Sequence, residues 1–227
     1  MRLAALPPLA LLAACSAERG PAPEPTPTAT VAAPRTLIAA NFDPATLGAR
    51  IEGMEVTEHE IGNGVAKVSA FVACPRNTAT CDPATAPEGT VFTYVLTVTP
   101  QASPEPSPTP TATDAAVVPV EAPAVLVRMT HPASGFNASA GFSRPEAAAA
   151  LGAEDALSLT LDQNQLIWRV TDGTGWAAGK PITLWWQSTR APTGPETAYR
   201  LEYAGKRAEF RAPFPAADKA VEPSPAR

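Results

Sequence analysis

Three cysteines, two histidines and 6 % aromatic residues in a chain of 227 supply few of the groups from which metal centres and nucleophilic sites are built. His59 and His131 stand alone, with no second ligand pair at zinc spacing near either. The sequence contains no Ser-x-x-Lys, no phosphate-binding glycine loop and no dinucleotide fingerprint. Asp172-Gly173-Thr174-Gly175 lacks the carboxylate ladder of a calcium loop and reads as a hairpin turn. No apolar run approaches the ~20 residues that a membrane-spanning helix needs. Basic residues are outnumbered, 17 to 22, for a net charge of −5, and they do not cluster along the chain. Nucleic acid is therefore not an expected partner, because holding phosphates takes grouped Lys and Arg.

What is abundant is proline, at 27 residues, so much of the length is not packed core. Two tracts hold many of them. Ser16 to Arg35 carries Pro21, Pro23, Pro25, Pro27 and Pro34, and Pro100 to Pro123 nearly repeats its Pro-Glu-Pro-Thr-Pro-Thr pattern. Such segments bury too little apolar surface to fold and favour an extended polyproline conformation. The first reads as a tether that could hold a domain as much as ~60 Å from its attachment point at ~3.1 Å per residue. The second, residues 100–123, reads as a disordered insertion between paired strands of one domain, since loop closure of that length costs little extra, with a linker between two small domains as the alternative.

The amino terminus explains what the tether is attached to. Arg2 is a short positive region, Leu3 to Leu11 is apolar apart from Pro7 and Pro8, and Leu12-Ala13-Ala14-Cys15 closes the stretch with small residues before a lone cysteine. The layout is that of a secretory signal. Leu12-Ala13-Ala14-Cys15 resembles the lipobox of bacterial lipoproteins, a match covering 15 of 227 residues. That resemblance implies a signal peptide over residues 1–14, diacylglycerol on the Cys15 thiol and an acylated new amino terminus, with the palmitate-class chains as the membrane anchor. Ser16, standing where an aspartate favours inner-membrane retention in enteric bacteria, implies the outer membrane, with the domain expected to face the periplasm. In an oxidising envelope Cys74 and Cys81 are expected to pair, closing a loop worth ~2.5 kcal/mol in the chain-entropy model.

Residues 36–213 read as a single mainly β domain, followed by a polar tail, 214–227. Ile51 to Ile61 and Val65 to Cys74 flank a Gly62-Asn63-Gly64 turn, with Val68, Ala70 and Val72 on one face. Val91 to Thr99 is β-branched and aromatic throughout. Ala124 to Thr130 resumes pairing, and Pro132 to Phe142, rich in Gly, Ser and Ala, reads as a loop tacked down by Phe136 and Phe142. Ser143-Arg144-Pro145-Glu146 opens one short helix, about 143–152, which Gly152 stops. Alternation then returns at Leu157 to Leu161, Leu166 to Val170, Ile182 to Trp186, Tyr199 to Tyr203 and Arg207 to Phe210. Short strands about ten residues apart predict an antiparallel β-sandwich or open barrel.

Three groups of residues suggest chemistry. Asn137-Ala138-Ser139-Ala140-Gly141 has the outline of a nucleophile elbow with Asn at the first glycine, and His131 lies eight residues upstream as a candidate base for an envelope hydrolase. Glu58-His59-Glu60 in a strand splits its carboxylates from its imidazole. Trp168, Trp176, Trp185 and Trp186 fall within 19 residues. If Trp186 shares the core face of Ile182 and Leu184, Trp185 is left outside with Thr183 and Gln187, with Trp176 a candidate companion from the turn after Gly175. An exposed tryptophan beside polar side chains could stack on a glycan such as peptidoglycan or anchor an envelope protein. The expectation is thus a lipid-anchored protein with a non-catalytic binding or accessory domain, using no cofactor and no metal.

Overall fold

The computed structural model describes residues 33–78, 80–101, 125–173 and 175–217. The signal region with Cys15, nearly all of the tether, the insertion from 102 to 124 and the tail from 218 onward lie outside the described residues.

Twelve strands and one helix follow one another along the chain. The strands are β1 (Arg35–Leu37), β2 (Ala40–Asn41), β3 (Leu47–Ile61), β4 (Ala66–Pro75), β5 (Phe92–Pro100), β6 (Leu126–Met129) and β7 (Phe136–Phe142). After the helix α1 (Arg144–Leu151) come β8 (Leu157–Asp162), β9 (Gln165–Val170), β10 (Ile182–Ser188), β11 (Pro192–Tyr203) and β12 (Lys206–Pro215). They form two open six-stranded sheets, ordered β1-β8-β9-β6-β11-β12 and β2-β7-β10-β5-β4-β3. Every pairing is antiparallel except β2 with β7, and the sheets pack face to face as a β-sandwich.

Each sheet mixes strands from before and after the insertion. β5, which precedes it, lies in the second sheet and β6, which follows it, in the first, so the strands it joins are not paired with each other. The expectation of an insertion between paired strands is corrected: it is a sheet-to-sheet crossover.

The core follows the alternation. Val68, Ala70 and Val72 of β4, Ile182, Leu184 and Trp186 of β10, and Tyr199, Leu201 and Tyr203 of β11 all point inward and are buried. Its large aromatics would each strand a polar tip, and the opposite layer or a loop receives it. Trp168 Nε1 donates to the Gly141 carbonyl at 2.9 Å, joining β9 to β7 across the sandwich. Trp186 Nε1 donates to the Tyr199 hydroxyl at 3.1 Å, joining β10 to β11, and Tyr94 stacks on Trp186 with centroids 4.5 Å apart. Tyr203 donates to the Trp176 carbonyl at 3.0 Å. Burial raises the phenol pKa of Tyr94, Tyr199 and Tyr203 above the usual tyrosine range.

The helix is capped as its sequence requires. Ser143 Oγ accepts from the Glu146 amide at 3.4 Å, and Gly152 adopts a left-handed φ of 92°. The reciprocal half of a capping box is replaced: the Glu146 carboxylate accepts the Thr183 amide, so the cap ties α1 to β10. Cys74 and Cys81 form the expected disulfide, with Cα atoms 5.7 Å apart.

Three stretches depart from the sequence reading. Residues 136–142, expected as loop, are β7; β2 runs against its end, where a Cβ on Gly141 would collide with the Ala40 carbonyl. β11 begins at Pro192 rather than Tyr199, its pairing with β12 interrupted between Thr193 and Glu196. β12 continues to Pro215, so the first residues assigned to the tail belong to the sheet.

Candidate functional site

The residues that sequence reasoning singled out do not converge. Trp176 is 1 % exposed and donates through Nε1 to the Lys180 carbonyl at 2.8 Å, so it is core and presents no ring face to a ligand. Its proposed pairing with Trp185 is corrected on that ground. Ser139 lies on β7 of the second sheet. His131 follows β6 of the first sheet and stacks on Phe214 of β12 with centroids 4.3 Å apart. No hydrogen bond joins Ser139 to His131, and His131 Nδ1 has no hydrogen-bond partner among the described residues. His59 is turned from its two glutamates and contacts the Thr57 carbonyl at 3.2 Å, while Glu58 meets Lys67 at 3.3 Å.

Trp185 does stand on the outer face of the second sheet, as the alternation requires, and it is half-buried there. Register places it opposite Val95 of β5 on one side and Gly141 of β7 on the other, and Val95 opposite Phe71 of β4. The result is an apolar row, Trp185–Val95–Phe71, across three central strands. A polar row borders it on each side. In one, Thr97 and Thr183 hydroxyls meet at 3.3 Å. In the other, Asn137 Nδ2 donates to Gln187 Oε1 at 3.1 Å and Gln187 Nε2 to Thr93 Oγ1 at 3.2 Å. Both faces of β10 are thus specified, the inner for packing and the outer for an ordered pattern of ring, hydroxyl and amide.

Over this face passes a strap. β2 is at one edge of the sheet and β3 at the other, and residues 42–46 connect them. A short 3₁₀ turn, Pro44–Thr46, stiffens the strap, with Asp43 Oδ1 accepting the Ala45 amide at 2.9 Å. Between strap and sheet lies a cleft of about 380 Å³, with Phe42, Pro44 and Leu47 on the strap side and Val95, Thr97 and Thr183 on the floor. Arg50 and Phe71 form its end wall, the guanidinium carbon 3.9 Å from the ring centroid and Nη1 3.5 Å from Glu55. A second hollow of about 410 Å³ shares Arg50, Phe71 and Thr97 with it and is lined further by Ser69 and Glu58.

The arrangement can hold a ligand: a floor of Val95 with the Thr97 and Thr183 hydroxyls, and a ring with a guanidinium above it, suit an extended chain or a sugar ring. Among the described residues, no three of His, Cys, Asp and Glu gather as metal ligands. Sequence reasoning missed Phe42, Arg50 and Phe71. Phe71 was legible, since it alternates with the inward Ala70 and Val72; Phe42 and Arg50 reach the site only through the strap and the bulged pairing of β3.

Fold and site together define an antiparallel β-sandwich with a strapped, solvent-facing cleft on one sheet. Comparison of the chain with protein-family models, with curated proteins and with solved structures finds no match for it.

Proposed function

We propose that this chain is a lipid-anchored cell-envelope protein, held in the outer membrane through Cys15 with its domain toward the periplasm, whose domain binds a partner without transforming it. The observation that carries the binding reading is the strapped cleft on the outer face of the second sheet, where Phe42, Phe71 and Arg50 meet Val95, the register neighbour of Trp185. The Cys74–Cys81 disulfide supports an oxidising compartment, and the lipobox-like Leu12-Ala13-Ala14-Cys15 supports the anchor. The test is in-cell cross-linking with the carboxy-terminally tagged full chain, compared with Phe71→Ala and Trp185→Ala. Recovery of one dominant envelope protein that both variants lose is the expected result; equal recovery by all three overturns the assignment of the site. Radiolabelled palmitate incorporated by the parent and not by Cys15→Ser tests the anchor separately.

A glycan ligand is the second reading, favoured by the Asn137–Gln187–Thr93 amide and hydroxyl ladder beside Trp185. It expects peptidoglycan fragments to change tryptophan fluorescence in the parent and not in Trp185→Ala.

A further inference from the structure

The outer face of the first sheet takes its charge from residues that are far apart in sequence. On β6, β9 and β11 the inward positions are Val127 and Met129, Leu166 and Trp168, and Tyr199 and Leu201, all buried in the core. The intervening positions therefore face out. Register aligns them in two rows, Ile167–Arg128–Arg200–Glu209 and Arg169–Leu126–Glu202–Arg207. Four arginines thus share this face with Glu202, Glu209 and, opposite Gln165 on β8, Asp162. The glutamates are already committed: Arg200 Nη2 is 2.8 Å from Glu209 and Arg207 Nε 3.4 Å from Glu202. Arg128 and Arg169 are the two arginines of the face left without an ion pair among the described residues. Arg128 donates to Gln165 Oε1, a neutral acceptor, at 2.6 Å, and the exposed Arg169 has no carboxylate partner among the described residues.

The two are diagonal neighbours, because Arg169 is opposite Leu126 while Arg128 is opposite Ile167. Such positions lie ~7–8 Å apart, within reach of one phosphate or of two adjacent ones. Arg128 also stands directly opposite Arg200, a like-charge juxtaposition that an anion relieves. Leu126 and Ile167 fill the space between them, 6 % and 8 % exposed on an outward face.

We propose that this face docks on a bilayer surface bearing anionic phospholipid headgroups, with Arg128 and Arg169 as the principal contacts. The proposal rests on the membrane-anchored reading above. Outward guanidiniums spaced along neighbouring strands complement a surface of phosphates, and the described chain enters the fold at β1, the edge strand of this same sheet, 20 residues after Cys15. On the other sheet β3 carries Glu52, Glu55, Glu58 and Glu60, of which Glu55 and Glu58 are paired with Arg50 and Lys67. An anionic surface therefore attracts the Arg128–Arg169 face, and the strapped cleft, on the other sheet, is left pointing away from the membrane.

The test uses the full chain carrying Cys15→Ser, so that acylation contributes nothing, in cosedimentation with phosphatidylcholine vesicles with or without about 30 mol % phosphatidylglycerol. Binding that requires phosphatidylglycerol and weakens from about 50 to about 300 mM salt is expected. Arg128→Gln with Arg169→Gln lowers the partition coefficient roughly 25-fold, about five-fold for each lost charge. Arg76→Gln with Lys180→Gln, the same charge change away from this face, leaves it within about two-fold. Far-UV circular dichroism confirms that both pairs fold. Equal binding by the two double variants, or binding indifferent to phosphatidylglycerol, overturns the proposal. So does binding that appears only after residues 102–124 are deleted: that segment carries Glu105, Asp114 and Glu121 and no basic residue, and the result would make it the occupant of this face. Palmitate labelling at Cys15 is independent of all these outcomes, so loss of the anchor reading and loss of the docking reading are told apart.

Discussion

At the scale of the residue, Trp185 and Trp186 show how one strand serves two environments. Trp186 is fully buried, stacked on Tyr94 and bonded to Tyr199. Replacing it with Phe loses that hydrogen bond and part of the packing, and is expected to cost about 2–3 kcal/mol in urea unfolding. Trp185 Nε1, by contrast, is shut off from solvent with no hydrogen-bond partner. Trp185→Phe removes a buried unpaired donor and should leave stability within about 0.5 kcal/mol or raise it, since an orphaned polar group costs ~1–3 kcal/mol. If the two substitutions cost the same, the assignment of faces on β10 is wrong. The tyrosines give a pH signature. Tyr94 and Tyr199 are raised chiefly by burial, with the Tyr199 phenolate as a further cause at Tyr94. Their folded forms hold a proton that the unfolded chain releases near pH 10, so stability is complete below pH ~10 and falls as the pH rises above it. The slope should approach ~1.4 kcal/mol per pH unit for each tyrosine, and Tyr94→Phe should shallow it by about one tyrosine's share in denaturant melts between pH 9 and 11.

At the scale of the element, the strap depends on a glycine. Gly141 has no side chain because β2 lies against it, and any Cβ there meets the Ala40 carbonyl. Gly141→Ala should push β2 off β7 and loosen residues 42–46, which β2 positions. Amide exchange over residues 40–48 is expected to accelerate at least ten-fold while β4, β5 and β10 stay protected; unchanged exchange would mean that β2 does not hold the strap. These same elements mark where the sequence was readable. β4, β8, β9 and β10 show their inner faces by period, and β5 shows itself by its β-branched and aromatic content. The helix announced itself through Ser143, Pro145 and Gly152. β7 and the first half of β11 did not, because each is shaped by a neighbour: β7 by the approach of β2, and residues 192–198 by bulges against β12. Trp176 was misjudged for a related reason, since no local pattern records that its turn folds back onto Tyr203.

At the scale of the whole molecule, the opposite faces of the sandwich acquire different characters only through register. Arg128, Arg169, Arg200 and Arg207 are dispersed over 80 residues, and nothing in their spacing groups them until β9, β6, β11 and β12 are laid side by side. The strapped cleft likewise combines residues 42–50 with residues 71, 95–97 and 183. The crossover between β5 and β6 is the long link in this topology, yet its cost is small because loop-closure entropy grows only with the logarithm of length. Replacing residues 102–124 with about ten Gly and Ser residues shortens the link by a factor of about two, worth only ~0.7 kcal/mol of closure entropy. Equilibrium unfolding should therefore remain a single cooperative transition, stabilised by no more than about 1 kcal/mol. Two separate transitions would show that the halves before and after the crossover fold independently, contrary to a topology in which each sheet takes strands from both. A loss of more than about 2 kcal/mol would show that the replaced segment makes contacts of its own, because chain entropy alone cannot produce a change of that sign.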